Sequence, residues 1–323
     1  MNNKLSAQSN QSTINLPKVL VIGASGFIGL NLLLTLSKAG FYVHGFSRTN
    51  LIHTNLSKEQ QKYIFWSIGD LCNIQQITDI IESQDFDAVI HAAGTLIPSS
   101  NKVAFEKEAT EIILPTFKIL DILAKRKVRM IYISSGGTFY KESGRKSKEE
   151  DTLEISTYYA LSKKICEDHV LFSLNKDQTS HVVLRLSNVF GRFQRSDGQQ
   201  GLLGTLIRNI QTNTVTNIWG DGSAVRDYIS VDLVCKYIKT LIQAPKVSGV
   251  FNLGSGLGLS VNNILKIFDE ISPVTPQVKY AKARNFDKTC VILDVTKIQS
   301  VIGIEISDTV KELKDFIFSE LYR

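Results

Sequence analysis

The apolar run Lys18-Val-Leu-Val-Ile22 passes without a spacer into Gly23-Ala-Ser-Gly26-Phe-Ile-Gly29, and the residues beyond repeat apolar positions at helical spacing. Few folds accommodate that junction. A strand that turns through glycines directly into a helix is the opening of a doubly wound parallel sheet, with the helix N-terminus at the sheet's carboxyl edge. Gly23 permits the tight turn, Gly26 lets a pyrophosphate approach the backbone, and Gly29 allows the helix to pack against the strand. The exposed amides at the helix start favour an anion. Ser25, Phe27 and Ile28 complete the predicted phosphate loop.

Short β-branched runs and amphipathic segments keep alternating as far as Gly191. Strands are predicted over Lys18–Ile22, Phe41–Phe46, Tyr63–Ile68, Ala88–His91, Arg129–Ser134 and His181–Leu186. Helices are predicted over Phe27–Lys38, Ile74–Glu82, Ala104–Lys125 and Tyr158–Leu174. Continuous apolar strands alternating with helices imply an α/β protein built on a Rossmann-type parallel sheet. After Gly191 the pattern loosens, as a smaller mixed lobe over the carboxyl edge of the sheet would look. The expected organisation is a polar N-terminal tail over 1–16, a dinucleotide-binding domain over 17–190 and a substrate lobe over 191–323, the lobes interleaved.

Composition narrows the function classes. The chain has 43% hydrophobic residues and no run of eighteen apolar ones, so no membrane partner is expected. The opening MNNKLSAQSNQSTIN lacks the apolar core of a signal peptide. Cys72, Cys166, Cys235 and Cys290 are far apart and lack metal-ligand spacing, so a reduced cytoplasmic setting without a metal is expected. The net charge of +6 suits an anionic partner. Its densest stretch, Lys125–Arg129, ends a predicted helix, where cations complement the helix terminus, and no nucleic-acid partner is expected.

Strand ends carry the cofactor signals. An NAD site offers a carboxylate to the ribose about twenty residues past the glycine loop. Here the second strand ends Gly45-Phe46-Ser47-Arg48-Thr49, where Ser47 and Arg48 suit a 2′-phosphate and point to NADP(H), with NAD(H) as the alternative. Asp70 and Leu71 follow the third strand, and Asp70 suits an adenine amino group. His91 closes the fourth strand as a packing residue, and Ala92, Ala93 and Gly94 after it are small enough to let a flat cofactor approach.

Tyr159 and Lys163 lie four apart on a predicted helix and share one face. A neighbouring ammonium favours the phenolate and draws the tyrosine toward the working pH range. A hydroxyl from Ser134 or Ser135, at the end of the fifth predicted strand, can bond the same substrate oxygen.

Together GASGFIG, GDL, HAAG, SSGG and the Tyr159-Ala-Leu-Ser-Lys163 segment resemble the extended short-chain dehydrogenase/reductase family. Leu186–Gly191, Trp219–Gly222, Arg226–Ile229, Phe251–Gly256 and Ala283–Asp287 extend the likeness to its nucleotide-sugar epimerase/dehydratase branch, from about residue 17 to the end. The resemblance implies a nicotinamide cofactor in the first lobe and a nucleoside-diphosphate sugar under the second. It implies Tyr159 as acid/base and Lys163 as a further holder of the cofactor, with Asn188, Arg226, Arg284, Thr95 and Ser135 as substrate contacts. It also implies a homodimer through the long helices around Ala104–Lys125 and Tyr158–Leu174. Ile113, Phe117, Leu120, Val170 and Leu171 there serve either that interface or the core.

Dehydrating and decarboxylating relatives carry a carboxylate after the fifth strand, and Ser134-Ser135-Gly136-Gly137-Thr138 has none. That leaves reduction of a 4-keto sugar nucleotide, to which Ser47-Arg48 points, or 4-epimerisation with a retained NAD. A non-catalytic dinucleotide sensor is the third reading, though such relatives typically lose the tyrosine or the lysine. Four departures from the branch stand out: Gly136 at the position of the usual catalytic hydroxyl, Ile112 at that of an asparagine, Lys141 at that of a glycine, and Leu233 at that of the second of two acidic residues after Arg226–Ile229. A role in surface-polysaccharide synthesis fits the branch by analogy.

Overall fold

The computed structural model describes residues 16–50, 57–194, 201–284 and 288–322. In chain order the elements are β1 (Lys18–Ile22), α1 (Phe27–Lys38), β2 (Tyr42–Ser47), α2 (Lys58–Gln61), β3 (Ile64–Ile68), α3 (Ile74–Ser83), β4 (Ala88–His91) and α4 (Lys102–Glu108). A single π turn, Ala109–Ile113, leads into α5 (Leu114–Arg126), β5 (Arg129–Ser135), α6 (Tyr158–Asp177), β6 (Val182–Leu186) and β7 (Asn188–Phe190). There follow α7 (Leu202–Gln211), β8 (Thr216–Trp219), β9 (Val225–Ser230), α8 (Val231–Gln243), β10 (Gly249–Leu253) and β11 (Gly258–Ser260). The chain closes with α9 (Val261–Ile271), β12 (Val278–Ala281), β13 (Cys290–Val291), α10 (Thr296–Ile302) and α11 (Thr309–Leu321).

Seven parallel strands form one sheet in the order β10-β6-β5-β4-β1-β2-β3. Their residues are apolar on both faces because helices cover both. On one face Val19, Val21, Ile131 and Leu184 pack with Leu32, Leu33 and the Val234–Leu241 side of α8. On the other, Leu20, Ile22, Val89 and Met130 pack with Ile77, Ile119, Leu123 and Val170. Strand order reverses between β1 and β4, so their carboxyl ends flank the crevice in which such sheets take ligands.

The predicted helix Ala104–Lys125 is broken in the structure. Pro115 has no amide hydrogen and would clash with a carbonyl one turn back, and the π turn just before it absorbs that conflict. A smaller lobe gathers β7, β9, β11 and β13, the β8–β12 pair, and α7, α9 and α11. Phe190, Leu206, Tyr228, Ile264, Phe268 and Leu313 form its core. The C-terminal half also returns to the large sheet, where β10 pairs with β6 and α8 packs beside α1.

Candidate active site

The glycine loop lies against the end of β4. Gly23 has φ +82°, and a Cβ there would stand 2.7 Å from Ala93 N. A Cβ at Gly29 would collide with the Gly23 carbonyl, so the first turn of α1 rests on the loop itself. The start of α1 has neither a side-chain cap nor an acidic residue in its first turn, and Gly26 is exposed. Its first amides are thus open to an anion. Ser25, Phe27 and Ile28 are half-buried along the loop.

Arg48 and Thr49 are exposed just past β2, and the Ser47 hydroxyl donates to Thr49 O at 2.7 Å. Asp70 is held below the usual carboxylate range, chiefly by the Cys72 amide at 2.9 Å, with Arg48 adding to the effect. Leu71 turns into the core beside Ile22 and Phe46. Ala92 and Ala93 are half-buried, while Gly94 and Thr95 are exposed. An uncapped helix start and small residues beyond β4 fit a dinucleotide. His91 is buried, with Nε2 3.0 Å from the Thr116 hydroxyl, and packs as expected rather than facing the crevice.

Tyr159 stands in the first turn of α6, which Thr157 caps by accepting from Ala160 N at 3.1 Å. The two serines separate here. Ser135 hydrogen-bonds the Tyr159 phenol and accepts from Thr138 Oγ1 at 3.2 Å. Ser134 instead donates to Glu167 Oε2 at 3.0 Å, inside the protein. Glu167 also pairs with Arg185, whose Nη1 donates to Tyr140 Oη at 2.9 Å. Ser134 is opposite Arg185 in the β5–β6 register, so both belong to this buried network.

Lys163 Nζ donates to Ile133 O at 3.1 Å and lies 5.3 Å from the centre of the Tyr132 ring. Burial lowers its pKa, and Cys166 and, after it, Glu108 oppose that. Burial raises the Tyr159 phenol, the bond from Ser135 opposes the rise, and Glu108 adds to it. The lowering expected from Lys163 does not act in this state, where desolvation, which penalises the phenolate, prevails. Tyr159 is a protonated phenol near neutral pH.

The Gly136 departure has a steric partner. A Cβ on Gly136 would lie 2.7 Å from Leu293 Cδ1 and 3.1 Å from Arg185 O, so Leu293 fills the place of the missing side chain. Ile112 is buried, its carbonyl accepting from Thr116 Oγ1 at 2.6 Å, and Lys141 is exposed.

Asn188 faces the end of β5, its Oδ1 being 3.5 Å from where a Gly137 Cβ would stand. Arg226 is half-buried on β9, with Nη1 donating to Val225 O at 2.9 Å. Its neighbour Asp227 points the other way, as alternation along a strand requires. Buried, it accepts from Ser255 N and Oγ (both 2.8 Å), Gly256 N (3.0 Å) and Leu293 N (3.1 Å). The Arg284 guanidinium lies 5.4 Å from the Trp219 ring centre. Asn285, Phe286 and Asp287 of the same motif fall outside the described residues. Glu142 accepts from Cys290 N at 3.2 Å and Glu154 pairs with Lys288, so the segment after β5 grips the chain just past Arg284.

Sequence reasoning missed Thr138, Leu293 and Glu108. Thr138 followed the serines in plain view, and Leu293 had no local signal. Glu108 sits in the charged run Glu106-Lys107-Glu108, which reads as a solvated face, yet it is buried.

A model of the NAD dependent epimerase/dehydratase family matches residues 19–254. The dTDP-4-dehydro-6-deoxyglucose reductase of Escherichia coli is 25% identical, aligned over 88% of this chain and 91% of its own length. A probable UDP-arabinose 4-epimerase of Arabidopsis thaliana is 30% identical over 87% of this chain and 74% of its own. Among solved structures, MoeE5 in complex with UDP-glucose and NAD superposes with a TM-score of 0.84 at 26% identity, covering 95% of this chain and 99% of that one. The UDP-glucose 4-epimerase of Thermotoga maritima, solved with UDP-glucose, gives the same TM-score at 24% identity, over 95% and 98%.

Proposed function

Because the chain belongs to the NAD dependent epimerase/dehydratase family, as an enzyme of the extended short-chain dehydrogenase/reductase type, we propose that it reduces a 4-keto nucleoside-diphosphate sugar at the expense of NADPH. The observation that carries the cofactor choice is Arg48, exposed just past β2 in a segment, Gly45–Asn50, that contains no carboxylate. A guanidinium there suits a 2′-phosphate through charge-assisted bonds. The open start of α1, with Gly23, Ser25, Gly26, Phe27, Ile28 and Gly29, takes the pyrophosphate, and Asp70 the adenine. Ala92, Ala93 and Gly94 leave room beside Lys163.

A bound nicotinamide supplies the hydride. The chain's own part is proton transfer and charge neutralisation. Tyr159, protonated in the resting site, gives its proton to the sugar oxygen, and the Thr138–Ser135 hydroxyl pair bonds that oxygen and the phenol. Ser134 is bound to Glu167, so the substrate-facing hydroxyl is Ser135. Arg226 and Arg284 balance the diphosphate, with Asn188 at the sugar and the exposed Thr95 there as an acceptor, its own hydroxyl hydrogen going to Glu108. Dehydration has little support: Glu142, the nearest carboxylate along the chain after β5, is bound to Thr289 and Cys290.

Titrating NADPH and NADH against the purified protein tests the reading. Selective, exchangeable NADPH binding that Arg48→Ala weakens about tenfold or more is expected. Tightly retained NAD would sink it and favour 4-epimerisation, the second reading, which the epimerase relatives support. Loss of turnover in Tyr159→Phe separates both from a non-catalytic sensor, which would keep its signalling output unchanged.

The same reading includes a homodimer in the cytoplasm. Ile113, Leu120 and Val170 are core residues, and Phe117 and Leu171 are partly buried against that core. Among the described residues, the outward large hydrophobic side chains on α4, α5 and α6 are Val103, Leu114, Tyr158 and Phe172. Among the described residues no helix is long and apolar enough to cross a membrane. A monomer in light scattering at micromolar concentration would remove the dimer.

A further inference from the structure

The carboxylate of Glu108 has no part in the scheme above, yet it is buried in the wall of the catalytic crevice. It comes from the last turn of α4, immediately before the π turn, a feature that often marks functional positions in helices. Thr95 holds it twice: its amide donates to Oε2 at 3.0 Å and its hydroxyl donates to the same oxygen. Ser162 Oγ, on α6, is 3.5 Å from Oε1. Oε1 also faces Gly94. A Cβ on Gly94 would lie 3.7 Å from Glu108 Oε1 and 3.4 Å from Lys163 Nζ, so the carboxylate and the ammonium flank one glycine on the crevice floor.

We propose that Glu108 is a positioning residue for Lys163, a carboxylate anchored by Thr95 that keeps the half-buried lysine cationic and so sets the alkaline limit of proton transfer at Tyr159. The inference rests on the reading of Tyr159 and Lys163 given above. Lys163 needs such a partner. Its other neighbours are the Ile133 carbonyl and the face of the Tyr132 ring, which supply no full negative charge. The titratable groups packed around it are Tyr159 and Cys166 on α6, Tyr132 on β5, His91 on β4 and Glu108 on α4. Burial pushes the two tyrosines and the cysteine up and His91 down to about 3, so all four are neutral near pH 7. Glu108 is the carboxylate of this set; Glu167, one turn along α6 and also near Tyr132, is paired with Arg185. A cofactor entering beside Gly94 desolvates Lys163 further, which makes a fixed anion more important.

Glu108→Gln keeps size and hydrogen bonding but removes the charge. The expected result is a loss of reductive activity on the alkaline side that begins about one pH unit lower than in the wild type, with the neutral plateau retained. In the cofactor-free protein, the Lys163 ζ-nitrogen resonance, assigned with Lys163→Met, is expected to titrate at correspondingly lower pH. Glu108→Asp, which keeps the charge but withdraws it, gives a smaller shift in the same direction and carries the test if the glutamine variant does not fold. An alkaline limb and a lysine titration both in their wild-type positions would overturn the proposal. So would a rate lowered equally at every pH, the mark of a purely structural role. Retained turnover in Tyr159→Phe would instead overturn the underlying reading, and the lysine titration stands apart from it.

Discussion

Gly136→Ala places a methyl where Leu293 already is. The built Cβ lies 2.7 and 3.0 Å from the two Leu293 methyls and 3.1 Å from Arg185 O, whereas ordinary carbon contacts begin near 3.5 Å. Leu293 is fully buried and the third contact is backbone, so relief requires an off-rotamer leucine or a shift of β6. Overpacking of this kind costs about 1–3 kcal/mol. Leu293→Ala alone leaves a cavity and costs about 2–5 kcal/mol. The double variant puts one methyl into the vacated space, so its loss should fall short of the sum by about 1–3 kcal/mol. For a chain of this size each kcal/mol corresponds to about 1.5 °C in melting temperature. Calorimetry on the four proteins of the cycle therefore reads a drop of about 1.5–4.5 °C for Gly136→Ala. A Gly136→Ala protein that melts with the wild type, or a cycle that is additive, would show that Leu293 does not occupy the position of the missing hydroxyl side chain.

Two further outcomes follow from the buried charges and imidazoles. Glu167→Leu leaves Arg185 as a buried cation without its carboxylate and should cost about 3–5 kcal/mol, well beyond Glu167→Gln, which can still accept; equal melting temperatures for the two variants would refute the pairing. His91 and His181 are buried neutral, with pKa values pushed down to about 3 and about 4, so the unfolded chain binds more protons below pH 6.5. Stability should fall as pH drops from 6.5 toward those values, and His91→Gln should make that fall less steep in melting curves taken from pH 7 to 4; an unchanged slope counts against the buried neutral assignment.

The doubly wound sheet was legible because its signals are local. Strand and helix periods are written in contiguous residues, and the glycine spacing at Gly23, Gly26 and Gly29 reports close contacts that no side chain permits. Bounds agreed to within a residue or two for most of the strands. The long helix before β5 was the exception: its amphipathic pattern runs through Pro115, and only backbone geometry reveals the π turn that the proline demands. Glu108 was missed for a related reason, since a charged run is normally solvated and the turn of helix that buries its last member is not visible in spacing.

By itself the sequence determined the order of the candidate site residues along the chain: a glycine loop, a basic residue past the second strand, hydroxyls closing the fifth, and a tyrosine and lysine one helical turn apart. Each of these depends on residues within a few positions of one another. Tertiary structure alone decided which serine meets Tyr159, because Ser134 is claimed by Glu167 and Arg185 across β6. It alone set Leu293 against Gly136, Asp227 against Ser255 and Leu293, and Glu108 beside Lys163. Those pairs are joined by the return of distant segments to one sheet edge, and local periodicity holds no record of which residues a chain brings back to meet.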